Sequence, residues 1–167
     1  MTNETTLQEQ PATIKKDIII DRVFNLPVSK LWQAWTEPES LKKWWAPKDY
    51  TCPYCSIDLK VGGKYLNCMC SAKGEEIWST GFYQQIIPEK KLVYTDSFSD
   101  DKGNVIPASD LNMPGDWPME CQVTVTFEET GGKTAMHLQH VGIPAAMHDD
   151  CINGWNQCFD KIEENKN

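Results

Sequence analysis

The order of apolar patterns along the chain predicts an α+β domain, an antiparallel sheet curled around a long C-terminal helix. Three observations carry this reading. One β-branched stretch is followed by two short helical patterns and then by about six strand-like segments. Short Gly- or Pro-containing turns join most of those segments, so neighbours pair antiparallel. Only the last segment carries a long apolar stripe at helical spacing, which leaves it to cover one face of the sheet.

Residues 1–13 lack periodicity and read as a flexible tail before a single domain over 14–167. The first strand spans 13–24 and ends before Pro27. Val28, Leu31, Trp32 and Trp35 then recur at helical spacing. Thr36, ahead of Glu37-Pro38-Glu39, reads as the N-cap of a second helix reaching Trp45, with Pro47 as its stop. Segments 54–61 and 64–71 flank Gly62-Gly63 as a hairpin. Strands over 77–87 and 91–98 follow, then a long loop over 99–118 that holds Trp117. Segments 119–127 and 134–141 form a second hairpin around Thr130-Gly131-Gly132. Pro144 precedes the final helix, with His148, Cys151, Trp155, Phe159 and Ile162 as its stripe.

Composition narrows the function. Lys plus Arg number 16 against 24 Asp plus Glu, a net charge of −8 that repels nucleic acid and anionic membranes. No apolar run approaches the roughly 18 residues of a membrane span, and the first ten residues lack the apolar stretch of a secretion signal. The expected location is cytoplasmic, with the seven cysteines reduced.

Several motifs resemble one family. They are Leu31-Trp32-Gln33-Ala34-Trp35-Thr36-Glu37-Pro38, Leu41-Lys42-Lys43-Trp44-Trp45-Ala46-Pro47, Asp58-Leu59-Lys60-Val61-Gly62-Gly63 and Gly81-Phe82-Tyr83. Pro88-Glu89-Lys90-Lys91-Leu92-Val93-Tyr94-Thr95, Val123-Thr124-Val125-Thr126-Phe127-Glu128, Gly132-Lys133-Thr134 and Gly154-Trp155 continue the series. In this order they resemble the START-like (SRPBCC) superfamily, in its branch related to the C-terminal domain of the activator of the heat-shock-protein ATPase. The resemblance implies the helix-grip fold of START and Bet v 1-like proteins, with an apolar cavity between sheet and C-terminal helix. It implies a small hydrophobic ligand and supplies no shared catalytic signature.

Seven Trp residues and five Tyr give that cavity candidate walls. The candidates are Trp35, Trp45, Tyr50, Tyr65, Met69, Trp78, Tyr83, Tyr94, Phe98, Trp117, Cys121, His140, Trp155 and Phe159. Each aromatic also has a plain reading as core. Strand parity places Met119, Cys121, Val123, Val125 and Phe127 on one face, and Met136, Leu138 and His140 together on the next strand, with His137 on the wet side. An inward His140 suits ligand hydrogen bonding or general-base chemistry, or is a core histidine satisfied by backbone. Gly81 marks a bulge or kink, and Gly154 a close approach to the last helix.

Cys52-Pro53-Tyr54-Cys55 and Cys68-Met69-Cys70 lie on the two arms of the first predicted hairpin. A turn at Val61-Gly62 pairs Cys55 with Cys68, and one at Gly62-Gly63 pairs Cys55 with Cys70. Either register puts Cys55, Cys68 and Cys70 on one face with Cys52 near, which suits zinc, a redox pair or disulfide, or inert buried thiols. No cofactor is expected beyond that zinc option. His148 and Cys151 share a helix face without an orienting third group, and Asp149 and Asp150 read as first-turn acids.

Three functional readings follow. The first is a binding module for a small hydrophobic or aromatic molecule. The second is a cyclase- or hydrolase-type enzyme with His140 as base, which requires a second polar group facing that ring. The third is a chaperone ATPase-regulating domain, motivated by the resemblance alone. Exposed edge strands in such a sheet would also suit a homodimer.

Overall fold

Ile18, Ile20 and Phe24 are buried while Ile19 and Val23 between them are exposed, and this two-residue period makes β1 (Ile18–Phe24) a strand with one wet face. A computed structural model describes residues 14–165, so the tail expected over 1–13 and the last two residues lie outside it. Two short helices follow β1: α1 (Val28–Thr36) and α2 (Pro38–Leu41). Then come β2 (Tyr50–Ile57), β3 (Lys64–Ser71), β4 (Glu76–Ile87), β5 (Lys91–Ser99), β6 (Cys121–Thr130) and β7 (Lys133–Val141). The chain ends in α3 (His148–Glu164), entered through a 3-10 turn over Ala145–Met147.

Among the described residues the strands form one antiparallel sheet of seven, in the order β1-β7-β6-β5-β4-β3-β2. The first strand reaches the last by pairing Ile18 with His140 and Phe24 with Thr134, so β1 and β2 are the edges. Helix α3 lies against the inner face with Trp155, Cys158, Phe159 and Ile162 buried. The α+β class and the sheet curled on the C-terminal helix are as the sequence predicts.

The differences are local and have physical causes. Strand β2 starts and stops four residues earlier than the expected 54–61. Gly62-Gly63 is not a two-residue turn: a Cβ on Gly63 would lie 2.1 Å from Asp58 O, so the chain folds back across a wider loop over 58–63. Thr36 is not a cap. Its Oγ1 donates to Trp32 O at 2.7 Å within α1, and Glu37 takes the N-cap position of an α2 much shorter than expected. The second hairpin does turn in two residues, at Gly131 (φ 61°) and Gly132 (φ 81°), the left-handed pair that a tight hairpin requires.

Gly81 bends the sheet where the site lies. A Cβ there would meet Thr95 O at 1.8 Å, so β4 and β5 approach more closely than any other residue allows. Phe82 N donates to Thr95 Oγ1 (2.9 Å), and Tyr65 Oη donates to Thr95 O (2.9 Å). Side chains thus satisfy backbone groups at the bend, and the ladder slips by one residue just beyond it, between Tyr83 and Gln85.

Candidate functional site

A cavity of about 210 Å³ lies between α3 and the inner face of β3 to β7. Two kinds of residue make it. Trp45, Met69, Phe98, Trp117 and Trp155 supply bulky walls, and Ala46, Ser79, Ser97, Cys121, Cys151, Gly154 and Cys158 supply small ones. Small side chains facing one another across a helix–sheet interface leave volume that their neighbours do not fill. Gly154 is central to this. A Cβ built there meets nothing within 4 Å, so the position opens onto free space where a close approach was expected.

One end of the cavity is polar. His140, on β7, is buried to 6% exposure beside Asp96 on β5. Trp155 Nε1–H donates to His140 Nδ1 at 3.2 Å. Indole N–H is a donor only, so Nδ1 must be bare and the proton of the neutral ring resides on Nε2. Nε2 faces Asp96 Oδ2 at 3.3 Å, off the line of a hydrogen bond, and has no hydrogen-bond partner among the described residues. The other carboxylate oxygen, Oδ1, lies 3.1 Å from Tyr65 Oη and shares its single O–H with Thr95 O. Burial, with the charge of Asp96 beside it, holds the Tyr65 hydroxyl well above the ordinary phenol range, so it remains a donor.

The same burial acts on the thiols of the wall. Burial pushes Cys121 up to about 12, with the Asp96 charge adding to it, and Cys158 up to about 12. Cys151 rises to about 11 through burial first, then Asp150 and Asp96. Such groups stay protonated near neutral pH and behave as small apolar side chains. His148 Nδ1 pairs with the neighbouring Asp149 Oδ1 at 3.1 Å.

The structure divides the predicted wall. Trp45, Met69, Phe98, Trp117, Cys121, His140 and Trp155 line the cavity. Trp35 and Phe159 stand behind it in solid core, their rings 6.2 Å apart. Tyr65, Tyr83 and Tyr94 cluster further along the sheet, Tyr65 at 6.1 Å from Tyr83 and 5.5 Å from Tyr94, around a void of only about 10 Å³. Tyr50 is off the wall, its backbone oxygen accepting from Lys161 Nζ on α3 at 2.9 Å. Trp78 belongs to the outer face, its ring tilted against that of Tyr54 at 5.5 Å, because Ile77 and Ser79 on either side of it turn inward. The loop after β5 does reach the site: Trp117 packs edge-on against Phe98 at 5.4 Å, with Nε1 bound to Pro114 O.

The first hairpin adopts neither expected register. Tyr54 pairs with Cys68 and Cys55 with Asn67, after an irregularity between Thr51 and Tyr54. The one-residue slip sends Cys55 to the opposite face from Cys68 and Cys70. All seven cysteines are free, and among the described residues no three His, Cys, Asp or Glu side chains gather as a metal site. Burial raises Cys52, raises Cys55 to about 12 and raises Cys68 to about 11, which opposes the thiolate form a metal needs.

Asp96 is the residue that sequence reading missed. Its signal was present, since β5 parity groups it with Leu92, Tyr94 and Phe98 on the inner face. Cys158 had one too, a turn beyond Trp155 on the buried stripe of α3.

A curled antiparallel sheet that grips a C-terminal helix over an aromatic-walled cavity defines a START-like, helix-grip protein. Within that class the chain belongs to the activator of Hsp90 ATPase homolog 1-like protein family, whose sequence model matches residues 25–165. Solved structures agree. A protein from Chromobacterium violaceum has 25% identity and a TM-score of 0.74, covering 89% of this chain and 94% of that one. One from Nitrosomonas europaea has 22% identity and a TM-score of 0.72, covering 89% and 92%. The AHSA1 protein from Silicibacter pomeroyi has 19% identity and a TM-score of 0.70, covering 89% and 96%. No protein of curated function matches the sequence. No helix among the described residues is long and apolar enough to cross a membrane.

Proposed function

We propose that this protein binds a small apolar or aromatic molecule in the cavity between the sheet and α3. The observation that carries the reading is the cavity itself: about 210 Å³ of space between sheet and α3, walled by Trp45, Phe98, Trp117 and Trp155. An apolar cavity of about 150 Å³ accepts benzene, so this one has room for a larger or substituted ring. Desolvation of the ligand's apolar surface supplies the driving force, at roughly 25 cal/mol per Å² buried. Three of the wall residues are tryptophans, so occupancy should change the intrinsic emission. Titration with naphthalene-sized aromatics should give a saturable change, weakened at least tenfold in Trp155→Ala. A panel of apolar ligands producing no saturable change would refute the proposal.

Asp96 is the second polar group that an enzyme built on His140 would require, at 3.3 Å. The tautomer weighs against His140 as the base, because Trp155 occupies the Nδ1 lone pair and the proton sits on Nε2, beside Asp96. The pair is better suited to holding a ligand's polar group than to removing its proton.

A further inference from the structure

The polar end of the cavity constrains what the ligand carries there. His140 is more than nine-tenths buried, lines the cavity and keeps an unpartnered Nε2–H. A buried N–H without a partner costs about 1 to 3 kcal/mol, a cost relieved when a ligand supplies an acceptor. Beside it Asp96 Oδ2 is a free acceptor, because Tyr65 engages Oδ1. The polar end therefore holds one donor and one acceptor only 3.3 Å apart, on two residues that line an otherwise apolar space.

On the reading that the cavity binds a small aromatic molecule, we infer that its ligands are uncharged hydroxylated aromatics, the hydroxyl accepting from His140 Nε2–H and donating to Asp96 Oδ2. A hydroxyl is the smallest group that both accepts and donates through one atom, which the closeness of the pair demands. Ethers and ketones answer His140 and leave Asp96 without a donor. Protonated amines answer Asp96 and leave Nε2–H orphaned, and a neutral aromatic amine accepts only weakly because its lone pair is drawn into the ring. A carboxylate accepts only, and it would bring a second negative charge against Asp96 in a half-buried site, within a protein of net charge −8. The same geometry explains why the ring is fixed: Trp155 holds the tautomer that donates, and Tyr65 holds the carboxylate that accepts.

Two matched sets of probes test this: benzene, phenol and benzoate, then naphthalene, 2-naphthol and 2-naphthoate, titrated by calorimetry at neutral pH. The hydroxylated member of at least one set should bind at least tenfold tighter than both its hydrocarbon and its carboxylate. Asp96→Asn keeps an acceptor for Tyr65 and removes the charge, and it should narrow the gap between 2-naphthol and 2-naphthoate at least threefold. Equal affinity within each set, or tighter binding of a carboxylate, overturns the hydroxyl inference and leaves the cavity reading standing. Saturable binding by none of the six removes both.

Discussion

The two halves of the interior are built from the same aromatic residues and reach opposite results. Toward one end Trp35 packs on Trp44 at 4.8 Å and on Trp155 at 6.1 Å, and Tyr65, Tyr83 and Tyr94 close around almost no free volume. Toward the other, Trp45, Phe98, Trp117 and Trp155 surround a cavity of about 210 Å³. Aromatic richness is common to both and does not distinguish them. The difference lies in the small residues between the rings, above all Gly154 and the three thiols Cys121, Cys151 and Cys158. A pocket in this fold is written by what is small rather than by what is large.

The comparison can be broken most forcefully in the filled half. Trp35→Ala should cost about 3 to 5 kcal/mol, read as a shift of the urea midpoint, because a fully buried indole leaves a cavity that its neighbours cannot close. Trp117→Ala, in the open half, should lower stability by only about 1 kcal/mol, the order of one edge-on aromatic pair with Phe98, while weakening aromatic ligands several-fold. A large stability loss there would mean that Trp117 is core and not wall. Gly154→Ala should raise stability by up to about 1 kcal/mol, since it removes a helix-interior glycine and its Cβ meets open space. Loss of stability in that variant would show that the space is already occupied in the folded protein.

The thiols give the smallest effect at neutral pH and a signed one above it. Cys121 has its folded value raised from 9.0 to about 12, so the unfolded chain ionises first. Its contribution is complete below about 8 and is lost as pH rises from about 9 through about 12. Wild-type stability should therefore fall more steeply than that of Cys121→Ala between pH 9 and 10.5, and should run parallel to it from pH 6 to 8. Parallel curves throughout would show that Cys121 is not desolvated.

Most of the fold was legible because burial is written in periods. The alternation of β6 and β7 placed Val123, Val125, Leu138 and His140 inward as found, though Met119, read with them, lies before β6 and is exposed. On α3 Trp155, Phe159 and Ile162 are buried as read, while His148 and Cys151 are only half-buried and Cys158 joins the buried face. What failed depended on a single residue of register. Gly63 folds back onto Asp58 O within a six-residue loop, where a two-residue turn was expected, and the resulting one-residue slip turned Cys55 away from Cys68. Trp78 was read as wall from its size, although its neighbours Ile77 and Ser79 carried the parity that sends it outward. Asp96 was passed over because a charged residue among aromatics looks like surface until its tyrosine and histidine neighbours, from β3 and β7, are in view.

The central claim is that the space beside Gly154 is where a ligand resides. Calorimetric titration of 2-naphthol into the wild type and into Gly154→Leu, with thermal melts of both, tests it directly. The account predicts saturable one-to-one binding to the wild type, and at least a tenfold loss in a variant that melts no lower, because the leucine fills the volume the ligand needs. Equal affinity in the two folded proteins would place the ligand elsewhere and contradict the account.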